Sequence, residues 1–186
     1  MAAPSTISIL RGVPSRLIWN PTDLGQSEPY GGSYLGSTAD QIFEPNPKYY
    51  ETWDQTRGSW DESYYLGEEP VFKAVVRYYD ADMISAAMPY SASSGSVGSH
   101  WLFRPGGTTS NRRAGTSPTA GKLLIAPHAA NAHPMLILYN AIPQLDAAAR
   151  IQWSLTKELD IAVVFKGLPD ASGRVYDTGR RGSIIL

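Results

Sequence analysis

What most constrains this chain is how often it is interrupted. Seventeen glycines and fourteen prolines punctuate its 186 residues, and few stretches between them could hold a helix of ordinary length, about 11 residues. Proline lacks the N–H that a helix interior needs, and glycine loses the most backbone freedom on ordering. The intervening segments are short, apolar or alternating, and they draw on 11 tyrosines and 5 tryptophans, residues that favour a pleated, half-buried surface. An all-helical fold does not fit this pattern. Short antiparallel strands joined by many turns do.

The runs that read as strands are Ser5–Leu10, Arg16–Asn20, Val71–Tyr79, Lys122–Ala126, Pro134–Ile142, Arg150–Leu155 and Asp160–Lys166. In Val71–Tyr79, Phe72, Ala74, Val76 and Tyr78 fall on one face and Lys73, Arg77 and Tyr79 on a wetter one, the period of a half-buried strand. Arg150–Leu155 alternates in the same way. One helix is predicted at Asp80–Met88, with Asp80 as N-cap, Asp82 complementing the dipole and Pro89 as the stop. Its stripe of Met83, Ile84, Ala87 and Met88 would bury against a sheet. The expected fold is mainly β: an antiparallel β-barrel or sandwich with one flanking α-helix and two long loop arms, at about 21–70 and 90–121, in a single domain over 1–186.

With 42% apolar and 18% charged residues, the chain is too hydrophobic to be wholly disordered and long enough to bury its own core. It contains no cysteine, which excludes disulfides, a thiol nucleophile, thiolate zinc and Cys-ligated iron–sulfur clusters. The N-terminal Met1–Leu10 has neither a basic region nor a continuous apolar core of the kind a secretion signal needs. No apolar run approaches membrane-spanning length, so no membrane partner is expected.

The net charge of −1 conceals a division. Residues 1–90 carry 6 basic and 12 acidic side chains, and residues 91–186 carry 10 and 5. Within 21–70 there are 10 acids against Lys48 and Arg57, whereas 91–122 holds Arg104, Arg112, Arg113 and Lys122 and no acid. Such charges can be solvated loops of one subunit, or opposite poles that favour head-to-tail self-association.

Signatures of the common enzyme classes are absent. Gly115-Thr-Ser-Pro-Thr-Ala-Gly121-Lys122 has one residue too many for a phosphate loop, and Leu123 stands where a Mg²⁺-binding hydroxyl belongs. There is no nucleophile elbow, zinc-protease motif, calcium loop or dinucleotide fingerprint. His128 and His133 flank a turn and would need a distant carboxylate to hold a metal; His100 stands apart. No metal, cofactor or catalytic residue is assigned, and the chain is expected not to be an enzyme. The adjacent acids Asp61-Glu62 and Glu68-Glu69 would point apart rather than act as a glycosidase pair. Arg112-Arg113 is too small a basic point for sustained phosphate binding.

The segment 49–65 is the most suggestive. Tyr49, Tyr50, Trp53, Trp60, Tyr64 and Tyr65 are interleaved with Glu51, Asp54, Asp61 and Glu62. Aromatic faces beside carboxylates suit either a protein interface or a sugar. The six aromatics, with Arg104, Arg112 and Arg113, are the candidate inter-subunit contacts.

The succession Lys122–Pro127, Pro134–Pro143, Asp160–Lys166 and then Gly167-Leu-Pro-Asp-Ala-Ser-Gly-Arg-Val-Tyr176, with the opening strand, Tyr30-Gly-Gly-Ser-Tyr-Leu-Gly36 and Val71–Tyr79 leading into Asp80–Met88, resembles the tail tube proteins of tailed bacteriophages. The resemblance implies a structural virion protein whose hexameric rings stack into a tube, with long loops clasping the next ring. It implies other tail proteins as partners (sheath, neck, or baseplate and distal-tail components), and DNA passing through the lumen without sequence-specific binding. It also implies assembly in the host cytoplasm. Because the 21–70 arm is longer and more aromatic than a minimal tube subunit requires, a specialised neck or distal-tail ring is the alternative. A carbohydrate-binding β-sandwich module is the competing class, and an unrecognised hydrolase a third.

Overall fold

The computed structural model describes residues 15–36, 38–76, 91–93, 101–103, 120–128, 134–145 and 161–186. Among the described residues the structure is β throughout, with no helix. Its strands are β1 (Ser15–Trp19), β2 (Ser33–Tyr34), β3 (Thr38–Glu44), β4 (Pro47–Asp54), β5 (Ser59–Glu68), β6 (Val71–Val76), β7 (Ser91–Ser93), β8 (Trp101–Phe103), β9 (Gly121–Pro127), β10 (Met135–Leu145), β11 (Ile161–Leu168) and β12 (Tyr176–Gly179).

Eight strands form one antiparallel sheet in the order β2-β1-β9-β10-β11-β6-β3, with β12 also paired to β10. β10 is long enough to serve two neighbours on one side. Its Met135–Leu138 half pairs with β12, and its Asn140–Leu145 half pairs with β11. A register shift against β9 between Leu138 and Ala141 marks where it changes partner, as a bulge bends a strand and re-aims its side chains. The sheet curls until β3 comes up against β1, where the Gln41 amide donates to the Ser15 carbonyl at 2.9 Å. That bond comes from a side chain rather than a ladder, so the fold is sandwich-like and not a closed barrel.

The two cores lie on opposite faces of the same strands, because adjacent residues point opposite ways. Leu17, Leu123, Ile125 and Leu138 face inward onto Phe72, Ala74, Val76, Val163 and Phe165. Ile18, Leu124, Ala126, Met135 and Ile137 face outward, under Leu24 and Tyr30 of the 20–32 loop and Ile184 near the C-terminus. Burial on both faces explains why β9 and β10 read as unbroken apolar runs. Each large side chain so buried stabilises the fold by about 1.5–3 kcal/mol.

Hydrogen bonds fasten this outer layer. Arg181 donates to the Leu24 and Gln26 carbonyls, both at 2.6 Å, with its guanidinium 5.1 Å from the Tyr30 ring centre. Tyr139 donates to the Ile185 carbonyl at 2.9 Å, which also accepts from Arg174 at 3.2 Å. A depression of about 790 Å³ remains between the 22–25 turn and residues 181–186.

Five of the expected strands correspond to β1, β6, β9, β10 and β11. In β6, Phe72, Ala74 and Val76 are buried and alternate with half-buried neighbours, as the period-two pattern requires. The expected strands Ser5–Leu10 and Arg150–Leu155 and the helix Asp80–Met88 lie outside the described residues, as does most of 90–121. From that second arm β7 and β8 are described, paired antiparallel, along with Ala120 and Gly121, where β9 begins. The stretch 21–70, expected as an irregular arm, instead contains four strands.

Candidate functional site: the aromatic ribbon

β4 and β5 form a two-stranded sheet of their own. They extend the β3–β6 pair beyond the edge of the main sheet: β3 runs into β4 through Pro45-Asn46, and β5 returns to β6 through Glu69-Pro70. The two prolines deny the ladder a donor at the junction, and Asn46 takes a positive φ of 46°, a conformation asparagine tolerates better than most residues. A dedicated set of bonds holds the base. Asn46 Nδ2 donates to the Glu69 carbonyl at 3.2 Å, Glu69 N–H to the Asn46 carbonyl at 3.3 Å, and Gly167 N–H to the Pro70 carbonyl at 2.9 Å. Lys48 pairs with Glu69.

The base is also tied to β12. The Tyr176 ring packs edge-on against Phe43 with centroids 5.0 Å apart. The hydrogen bond with Glu68, reinforced by burial, pushes the Tyr176 phenol up to about 12. Tyr65 shares Glu68, and its phenol is raised first by desolvation and then by that hydrogen bond.

At the far end Asp54 closes the turn. Its Oδ1 accepts from the Thr56 and Arg57 amides at 2.8 and 3.3 Å, while its carbonyl accepts from Gly58 N–H at 2.9 Å. Gly58 sits at φ +63°, where a side chain would be strained.

Along the ribbon the register opposes Tyr49 to Tyr65, Tyr50 to Tyr64 and Trp53 to Trp60. Directly opposed residues share a face. One face therefore carries Tyr49, Tyr65, Trp53 and Trp60, with ring centroids 5.8 Å apart in the tyrosine pair and 5.1 Å in the nearly perpendicular tryptophan pair. The other face carries Tyr50 and Tyr64, and Tyr64 donates to Glu62. All six rings are between 51% and 63% exposed. Register shifts flank the central stretch, at Lys48/Tyr49 and Thr52/Trp53. They leave Leu66 and Asp61 as the unopposed residues of β5.

All six aromatic candidates are thus gathered on one element. Arg104, Arg112 and Arg113 lie outside the described residues, so the expected basic counterpart is not among the groups the structure places here. His128 is exposed in the turn after β9, and His100 and His133 are outside the described residues. Among the described residues no group of three His, Asp or Glu is arranged to hold a metal. Sequence reasoning missed Glu68 and Tyr176 at the base and the exposed Leu66. Glu68 had been weighed only as half of an acidic pair, and nothing local to Tyr176 signals its partner.

No protein-family model matches the chain, and no curated protein matches it. Among solved structures, it is similar to the anti-feeding prophage cap, the AFP tube-terminating cap, with a TM-score of 0.51 at 10% sequence identity, covering 95% of this chain and 96% of that one. It is also similar to the sheath/tube terminator, in the extended state, of the PVC extracellular contractile injection system. There the TM-score is 0.45 at 8% identity, over 96% of this chain and 99% of that one. The first of these likenesses shows a shared fold over 95% of this chain.

Proposed function

We propose that this chain is a structural, non-catalytic subunit of a phage-tail-like assembly, and that it forms the ring at the end of the tube rather than the repeating tube itself. The observation that carries this reading is the likeness to a tube-terminating cap over nearly the whole of both chains. Two features of the chain support it independently. The ribbon offers six exposed aromatics on a projecting element, and the opposite charges of the two halves suit head-to-tail contacts that close into a ring. In this reading the ring is six-fold, sits on tube and sheath components, and surrounds the path of the ejected cargo without reading its sequence. The assembly forms in the host cytoplasm and leaves as part of the virion or injection particle.

The test is negative-stain electron microscopy of the purified chain across concentration and salt, followed by its addition to bare tail-like tubes. Six-fold rings that seat on tube ends and stop elongation are expected. Long self-stacked tubes would return the chain to a repeating tube subunit, and a monomer that leaves tube ends unaltered would refute both roles.

A further inference from the structure

We propose that the β4–β5 ribbon is an insertion element, gripped on both of its faces by neighbouring copies of this chain; the proposal rests on the ring reading above. A surface hairpin ordinarily sorts its side chains, apolar toward the protein and polar toward water. This one does not sort them. Tyr49, Tyr65, Trp53 and Trp60 occupy one face and Tyr50 and Tyr64 the other, and every one of them is more than half exposed. A two-stranded ribbon is only marginally stable by itself in water, and its described contacts with the main sheet are at its base. Exposed apolar surface on this scale marks an interface, and here it needs cover on two sides.

The geometry favours contact through the faces over contact through the edges. An added strand needs a regular run of free N–H and C=O groups. Two register shifts within the ribbon interrupt that run and turn the edges away. The occupant follows from charge. Lys48 and Arg57 pair within the ribbon, with Glu69 and Asp54. No cation among the described residues forms an ion pair with Glu51, Asp61 or Glu62. The charge excess of opposite sign lies in the same sequence, whose residues 91–186 hold 10 basic and 5 acidic side chains. Opposite signs on one chain make a head-to-tail partner of a second copy.

The experiment places a photo-reactive residue on each face of the full-length chain, as Trp53→benzoylphenylalanine and Tyr50→benzoylphenylalanine. Each variant is mixed with isotopically labelled wild type and irradiated at assembling concentration. Both positions are expected to give labelled–unlabelled cross-links that map to residues 91–186. The double reversal Glu51→Lys with Glu62→Lys should raise the concentration for half-assembly by about tenfold, an effect that shrinks in high salt. Rings that form with cross-links from one face only, or from neither, overturn the insertion while leaving the ring reading intact. Failure of the wild-type chain to assemble at all overturns both. Retention on immobilised glycans that is lost in Trp53→Ala with Trp60→Ala would assign the aromatics to sugar binding and overturn the proposal.

Discussion

Tyr139 ties three segments together with one hydroxyl. It stands in β10, its single O–H is shared between the Asp177 carboxylate of β12 and the carbonyl of Ile185, and its ring lies under the Arg174 guanidinium, 4.0 Å from the ring centre. Burial, then the hydrogen bond with Asp177, pushes its phenol up to about 12, and Tyr176 is raised to about 12 as well. An unfolded tyrosine ionises near pH 10, so the folded chain holds these protons more tightly than the unfolded one. Their contribution to stability is complete below about pH 10 and is lost as pH rises toward 12. Thermal melts should therefore hold steady through neutral pH and fall above about pH 10, and the fall should be shallower in Tyr139→Phe. An alkaline decline that is identical in Tyr139→Phe and Tyr176→Phe would show that other groups cause it. Gly121 is a second decisive position. A Cβ there would press on the Trp19 indole, 2.8 Å from its Cε2, so Gly121→Ala should cost about 1–3 kcal/mol by overpacking, read by denaturant unfolding.

Among the elements, the main sheet and the ribbon should respond differently to the loss of aromatic side chains. Phe165 is buried between Trp19 and Phe72, with ring centroids 6.0 and 6.4 Å away, and Phe165→Ala should cost about 3–5 kcal/mol of global stability. Trp53→Ala with Trp60→Ala removes rings that touch each other outside either core. It should leave global unfolding nearly unchanged while hydrogen exchange quickens over Pro47–Glu68. Equal destabilisation by the two sets would mean that the ribbon packs on the body.

The same contrast explains what could be read in advance. β1, β6, β9, β10 and β11 were legible because Gly, Pro and Asp bound short apolar runs and burial dictates their composition. The ribbon's strands were not. Tyr49-Tyr50 and Tyr64-Tyr65 place rings on both faces, and the shifts at Leu66 and Asp61 break the period, so the alternation that identifies a half-buried strand is missing. The cluster of six rings was nevertheless legible, from aromatics interleaved with acids, and the structure gathers them, exposed, on one element. The outer layer was opaque for another reason: a loop and a C-terminal segment cover the sheet through Leu24, Tyr30 and Ile184, and neither segment carries a periodic signal.

At the scale of the whole molecule, the described residues form a curled sheet with cores on both faces, a covering layer at one end of the strand order and an acidic aromatic ribbon projecting from the other. A chain so divided in charge should associate more tightly as salt is lowered. Its fold is similar to that of a tube-terminating cap over 95% of the chain, and the role proposed above uses the ribbon and the sheet together. The most direct test of that role is the mass of the intact chain in solution at low salt, measured by native mass spectrometry beside the Trp53→Ala, Trp60→Ala variant. The account predicts a closed ring of six for the wild type and a shift toward smaller species for the variant. A wild-type chain that stays monomeric at every concentration would contradict it, and a variant that assembles as well as the wild type would remove the ribbon from the ring's contacts.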